Sequence, residues 1–133
     1  MTLTKTPICN FGEKAKNFTL ISTDNTKISL NEIKGKNGTL IMFICNHCPY
    51  VKAIIKDLVE DVKYLENLGI KSAAIMSNDV ENYPEDSFEN MISFSKIHNF
   101  SFPYLIDRTQ MVAKEYRAVC TPDFFGYNKD LEL

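Results

Sequence analysis

Two cysteines separated by two residues are the part of this sequence best suited to chemistry. Cys45 and Cys48 enclose Asn46 and His47, and they follow directly on the apolar run at residues 40–44. A pair with this spacing either closes a small disulfide ring or grips a metal ion. Because this pair ends a strand-like segment and begins a helix-like one, where free backbone N–H groups stabilise a thiolate, redox chemistry is favoured.

The same position suggests a role for each residue of the motif. We expect Cys45 to lie at the N-cap of the following helix and to act as the nucleophile, with a pKa below that of a free thiol. Cys48, one turn further on, is the expected resolving thiol, which attacks the mixed disulfide and releases the reduced substrate. A protonated His47 would add positive charge beside the sulfurs and make the disulfide more oxidising.

Two other interpretations of the motif stay open. In the first, Cys45 and Cys48 are inert side chains that fill the core. In the second, they bind a metal ion together with His47 and the distant Cys120. Zinc sites usually show two clear ligand pairs in the sequence, and only one pair occurs here, so we assign no metal site. Cys9 lies in a segment without clear structure and is given no role.

Length and composition describe one folded domain over residues 1–133. Of the 133 residues, 44% are hydrophobic and 24% are charged. A chain of this length and composition can bury a core without disulfide bonds or metal ions to stabilise it. The net charge of −2 gives no indication of a nucleic acid or an anionic membrane as partner. We expect no cofactor.

The sequence gives no sign of targeting or of membrane insertion. The segment Met1 to Lys16 is polar and lacks the apolar core of a signal peptide, and the apolar run at residues 40–45 is far too short to span a bilayer. We therefore expect a cytoplasmic protein. In that reducing compartment, four cysteines are typical of catalytic, metal-binding or core positions rather than of a disulfide scaffold.

Hydrophobic periodicity predicts alternating strands and helices. The predicted strands lie at residues 18–21, 39–44, 70–76, 104–106 and 124–127. The predicted helices are a short one after the capping box at Ser29, one at 51–68, one from a start framed by Asp86 and Glu89 to His98, and one at 109–116. A turn at 128–130 is expected to lead into a partner strand at 131–133. This order predicts an α/β fold with a partly parallel sheet covered by helices on both faces.

A second motif, Thr121-Pro122, stands just before the last long strand. Together with the strand–CxxC–helix segment, it makes the chain resemble thioredoxin-fold proteins. The resemblance is to the group that spans the alkyl hydroperoxide reductase/thiol-specific antioxidant (AhpC/TSA) proteins and the thioredoxin-like reductases. It runs from about Gly12 to the end. The matching pieces are Gly12, Ala15, Phe18, Leu20, Ser29-Leu30, the segment 43–50 and the segment 120–125.

The resemblance implies a three-layer fold with a mixed central sheet and helices on both sides. It also implies that Pro122 is cis and lies against the cysteine pair, where Thr121 offers backbone contacts to a substrate. Oxidants of this fold tend to carry His at the position of His47, whereas strong reductants carry Pro. Cys120 would then lie near the pair as a candidate third redox thiol, although a small buried side chain is the simpler interpretation.

The resulting hypothesis is a thiol–disulfide oxidoreductase that acts on protein or small-molecule disulfides and thiols, with an unidentified electron donor. A peroxiredoxin-like hydroperoxide reductase is the first alternative. If Cys48 matched the peroxidatic cysteine, however, Cys45 would replace the Thr or Ser that the family carries three residues earlier. Neither Arg108 nor Arg117 stands at the place of the family's arginine. A non-catalytic redox sensor or metal-binding module is the second alternative.

The resemblance also implies a final helix over the sheet, which this sequence does not supply. We expect either that the chain is a fragment of a longer protein, which is the favoured interpretation, or that a second subunit covers the exposed face as a homodimer.

Overall fold

The computed structural model describes residues 9–133. Residues 1–8, the first half of the polar segment used above to predict localisation, lie outside the described residues. In the described part, the strands are β1 (Thr19–Ser22), β2 (Lys27–Ser29), β3 (Gly38–Phe43), β4 (Ile70–Met76), β5 (Tyr104–Ile106) and β6 (Asp123–Asn128). The helices are α1 (Leu30–Ile33), α2 (Pro49–Asn67), α3 (Phe88–Ile97) and α4 (Met111–Tyr116), with a 3₁₀ turn at Pro84–Asp86.

The strands form one mixed sheet in the order β2-β1-β5-β4-β3-β6. The three middle strands β5, β4 and β3 are parallel to one another, while β1 pairs with β5 and β6 pairs with β3 in antiparallel fashion. Parallel strands buried on both faces read as continuous apolar runs, which is why β3 and β4 are recognisable in the sequence. The predicted α/β architecture is confirmed.

The apolar side chains divide between two cores, one on each face of the sheet. The core beneath α2 and α3 includes Met42, Ile44, Val51, Val62, Met91 and Tyr104. The core beneath α1 and α4 includes Leu30, Ile33, Ile41, Phe43, Ile75 and Tyr116. Because successive side chains of a strand point to opposite faces, Ile41 and Phe43 of β3 enter one core while Met42 enters the other.

Helix α2 has well-defined ends. Pro49 occupies its first turn, where a missing N–H costs little. At the other end, Gly69 has a φ of +78°, the left-handed conformation that ends many helices, and the Asn37 side-chain amide donates to the Leu68 carbonyl at 2.7 Å. These ends fix where the helix begins relative to the cysteine motif.

The prediction misses one strand and does not identify the residue that caps α3. Strand β2 is absent from the prediction, because three residues give too short a pattern to recognise. Helix α3 does begin between Asp86 and Glu89, but its N-cap is Ser87, whose hydroxyl accepts a hydrogen bond from the Asn90 N–H at 3.2 Å. Asp86 is instead fully buried in the 3₁₀ turn.

The predicted turn at residues 128–130 is confirmed, and the Asn128 N–H donates to the Glu132 carbonyl at 2.9 Å across it, but residues 131–133 do not continue as a strand along β6. The Asn128 side-chain oxygen accepts hydrogen bonds from the N–H groups of Asp130 and Glu132 at 2.9 and 3.0 Å, which closes the turn. The last residues then pair with the N-terminal segment: the N–H of Ala15 donates to the Leu131 carbonyl at 2.8 Å, and Lys14 and Glu132 form an isolated antiparallel bridge.

Within residues 9–133 no helix follows β6. None of the helices in this part of the chain combines the length and the apolar character that crossing a membrane requires.

Candidate active site

Cys48, not Cys45, is the N-cap of α2, so the predicted cap position is wrong. The reason is Pro49: a proline disfavours helical backbone in the residue before it, and Cys48 is extended, with φ −64° and ψ 123°. The helix can therefore begin no earlier than Pro49. Cys45 lies in the short connection between β3 and this helix start.

Both cysteine side chains are buried, with Cys45 at 0% and Cys48 at 1% exposure. Burial raises the pKa of Cys45 to about 11; a hydrogen bond with Thr121 lowers it, and the nearby Asp86 carboxylate raises it again. The sequence-based expectation of a lowered pKa is therefore wrong for the free protein. The raised pKa favours the protonated thiol, so a nearby group must accept this proton when Cys45 attacks.

The loop before β6 lies across the cysteine pair, as the resemblance implied. The Thr121–Pro122 peptide bond is cis, which confirms that expectation. The Thr121 hydroxyl lies 3.5 Å from the Cys45 sulfur, and the Cys48 thiol donates to the Thr121 carbonyl at 3.4 Å. Residues more than seventy positions apart thus meet at one point, where one residue of the loop touches both sulfurs.

Asp86 is a buried carboxylate beside the motif that the sequence analysis did not place in the site. Its two oxygens accept hydrogen bonds from the Asn46 N–H at 2.7 Å and from the Asn78 side-chain amide at 2.9 Å. The predicted fold could have indicated this position, because β3 and β4 are parallel neighbours and the loops that leave their carboxyl ends meet at one edge of the sheet. Asp86 lies in the loop after β4, as the cysteines lie in the loop after β3.

His47 joins Asp86 to the protein surface. Its Nδ1 lies 2.5 Å from Asp86 Oδ2, but the direction of approach does not fit a hydrogen bond, and Nδ1 is buried. The imidazole stacks on Tyr83, with ring centroids 5.2 Å apart and planes 11° from parallel. His47 is 28% exposed, so it is the one residue of the cluster that faces solvent while contacting the buried carboxylate.

The Asn46 side chain anchors the cysteine motif through two hydrogen bonds. Its amide nitrogen donates to the Glu85 carbonyl at 3.1 Å, and its oxygen accepts from the Tyr104 hydroxyl at 2.8 Å. Burial raises the pKa of Tyr104 well above its usual value, so the hydroxyl remains a neutral donor. From its type alone, the uncharged Asn46 indicates neither an oxidant nor a reductant, whereas in the fold its side chain joins the cysteine loop to β5 and to the 3₁₀ turn.

Cys120 lines a cavity of about 430 Å³ beside the cis-proline loop. The cavity wall also includes Thr121, Phe43, Asn78, Gln110 and Lys114. Cys120 is partly exposed rather than the closed core position that the simpler interpretation described, and burial still raises its pKa. Because Thr121 touches both sulfurs and borders this cavity, the cavity is the candidate recess for a substrate group.

The two arginines considered for a peroxidase site are engaged elsewhere. Arg117 pairs with Glu13 at 2.6 Å, and the Arg108 guanidinium lies 5.8 Å from the centre of the Phe88 ring.

The residues that could bind a metal ion differ from those named in the sequence analysis. In the described part of the chain, the ligand atoms of Cys45, His47 and Asp86 lie within 4.8 Å of one another, and Cys120 is not part of this group.

A cysteine pair between a central strand and a helix, covered by a cis-proline loop in a mixed sheet, defines a thioredoxin-like fold. The chain belongs to the AhpC/TSA family, whose sequence profile matches residues 11–132. No curated protein matches it.

Solved structures share this fold. A protein from Geobacillus kaustophilus, described as an uncharacterized conserved protein, is 42% identical with a TM-score of 0.96, over 99% of this chain and 70% of that one. The thioredoxin domain of a thiol-disulfide oxidoreductase from Bacteroides vulgatus has a TM-score of 0.77 at 16% identity, over 94% and 86% of the two chains. Peroxidoxin BcpB from Mycobacterium tuberculosis has a TM-score of 0.73 at 14% identity, over 92% and 80%. The predicted thioredoxin-like fold is confirmed.

Proposed function

We propose that this protein is a thiol–disulfide oxidoreductase whose redox centre is the Cys45–Cys48 pair. The observation that carries the proposal is the meeting of both sulfurs at Thr121 of the cis-proline loop, with contacts of 3.5 and 3.4 Å. One residue of that loop thereby touches the attacking and the resolving thiol. The family match and the oxidoreductase of similar fold support the same chemistry.

The reaction transfers two electrons and two protons. The Cys45 thiolate attacks a substrate disulfide, forms a mixed disulfide and expels one substrate thiolate. The Cys48 thiolate then attacks the Cys45 sulfur, which closes the Cys45–Cys48 disulfide and expels the second substrate thiolate. A donor dithiol restores the pair by the reverse exchange. Cys45 must lose a proton to form the thiolate. The His47 imidazole, which lies against Asp86, is the nearby base suited to accept this proton.

Exposed apolar side chains around the motif suit a protein or small-molecule disulfide with apolar neighbours. Tyr83 on His47, Tyr50 in the first turn of α2 and Val119 before Cys120 are each between 42% and 49% exposed. Because the sulfurs themselves are buried, a substrate must press into this rim before exchange can begin. Amphipathic aromatic rings at such a rim favour contact with a partner.

A hydroperoxide reductase is the second candidate, favoured by the family match and by the peroxidoxin of similar fold. In that reaction the Cys48 thiolate would attack the peroxide oxygen, release water or an alcohol and become a sulfenic acid, which Cys45 would resolve as a disulfide with loss of water. Both candidates use the same two sulfurs, so the substrate decides between them.

Turnover of two substrates tests the proposal. With dithiothreitol as donor, we expect the wild type to reduce an insulin-type disulfide well above the uncatalysed rate, and hydrogen peroxide much more slowly. Cys48→Ser serves as the matched variant, since it keeps the Cys45 nucleophile. Peroxide turnover that persists in Cys45→Ser, or rapid peroxide turnover without any disulfide turnover in the wild type, would reject disulfide exchange as the main activity.

A further inference from the structure

We propose that the reduced protein binds one Zn²⁺ ion through the Cys45 sulfur, His47 Nδ1 and a carboxylate oxygen of Asp86. The three ligand atoms lie within 4.8 Å of one another, and two of the three residues are buried. This metal site goes beyond disulfide exchange, and it shares Cys45 with that reaction. Metal binding and turnover are therefore mutually exclusive at this sulfur.

The donor set suits zinc. Thiolate, imidazole and carboxylate are the three ligand types that proteins use for this ion, and three protein ligands with an open fourth position form a common zinc geometry. Calcium and magnesium prefer sites built from oxygen ligands, which this group does not offer. The fourth position is left to water or to the neighbouring Cys48 sulfur.

The buried Nδ1 of His47 already faces the second proposed ligand, the carboxylate of Asp86. It lies 2.5 Å from Asp86 Oδ2 without the direction of a hydrogen bond. Zinc bonds of about 2.0–2.2 Å to nitrogen and oxygen place tetrahedral ligands roughly 3.4 Å apart, so the two atoms must separate by about 1 Å. His47 has room for this movement, because its side chain is 28% exposed.

Asp86 is already oriented as a ligand. The Asn46 N–H and the Asn78 amide hold its two oxygens at 2.7 and 2.9 Å, which is the outer-shell support that metal-binding carboxylates typically have. Among the ion pairs of residues 9–133, Asp86 pairs with His47 and with no lysine or arginine. A thiolate at Cys45 would add a second buried negative charge, and a divalent cation would neutralise both.

Because oxidation of Cys45 and Cys48 to a disulfide removes the thiolate ligand, the site exists only in the reduced protein. Zinc would then protect the reduced pair, and an oxidant would release the metal.

Titration with Co²⁺ and Zn²⁺ tests the site in the full chain, reduced and freed of metal. We expect one Co²⁺ per chain, with thiolate charge-transfer absorption and the d–d bands of a tetrahedral ion, displaced by one Zn²⁺. Asp86→Asn and His47→Gln should each weaken Zn²⁺ binding by at least about 10-fold. Cys120→Ser and Cys9→Ser are the matched controls and should bind like the wild type. Oxidised protein should bind no metal.

Absence of stoichiometric binding, affinity unchanged in both Asp86→Asn and His47→Gln, or loss of binding in Cys120→Ser would overturn the site. If Asp86→Asn does not fold, zinc binding by His47→Gln still tests the site, because His47 is partly exposed. Disulfide turnover of the wild type in EDTA separates the two proposals. Turnover without zinc binding rejects only the metal site, whereas zinc binding without turnover rejects only the oxidoreductase.

Discussion

Replacement of Cys45 by serine is expected to lower disulfide turnover at least about 1000-fold, to the background rate. A serine hydroxyl does not ionise near neutral pH and forms no mixed disulfide, so the first bond of the exchange cannot be made. The measurement is the initial rate of insulin-type disulfide reduction with dithiothreitol as donor, under conditions in which the wild type is linear in enzyme concentration.

The chain supplies its own control for this substitution. Cys9 is an exposed cysteine outside the cluster, and Cys9→Ser should keep the wild-type rate. Cys120→Ser separates the pair from the candidate third thiol: a rate close to wild type confines the exchange to Cys45 and Cys48. Cys45→Ser that retains more than about a tenth of the wild-type rate would contradict the assignment of the nucleophile.

Replacement of Asp86 by alanine is expected to lower the free energy of unfolding by about 3 kcal/mol, because the buried Asn46 N–H and Asn78 amide both lose a charged acceptor. Asp86→Asn should lose less, since its amide oxygen can still accept from the Asn46 N–H. Urea unfolding of the reduced, metal-free protein measures both differences.

The matched control for this prediction is Asp57→Ala on the exposed face of α2, which should change stability by less than about 0.5 kcal/mol. If Asp86→Ala is as stable as Asp57→Ala, the hydrogen bonds to Asp86 do not hold the cysteine loop. In that case Asp86 would no longer count as a fixed partner of the active site.

Local patterns explain how much of this fold could be predicted. The bounds of β4 and β5 were predicted as observed, because continuous apolar runs between polar turns mark buried strands. The end of α2 at Gly69 follows from the conformational freedom of glycine. The pairing of residues 131–133 with the N-terminal segment could not be predicted, since the two segments lie near opposite ends of the chain.

The sequence predicted the cysteine pair and the loop that covers it, but not the electrostatic environment of the cysteines. The motif and Thr121-Pro122 identify the pair and the loop that covers it, and the cis bond was expected. The pKa of Cys45 depends instead on burial and on Asp86, which only the folded chain brings together. Asp86 was missed because its local sequence is typical of a helix start, and its burial arises from contacts across the sheet edge. The N-cap, in contrast, was predictable from Pro49.

The central claim is that Cys45 attacks the substrate and Cys48 resolves the intermediate, and trapping the mixed disulfide tests it most directly. Cys48→Ser, incubated with a disulfide substrate and digested under acid conditions, should carry the substrate thiol on the Cys45 peptide in mass spectrometry. The corresponding Cys45→Ser protein should carry no adduct on Cys48. An adduct on Cys120 or on Cys48, or an unmodified Cys45 in the Cys48→Ser protein, would contradict the account.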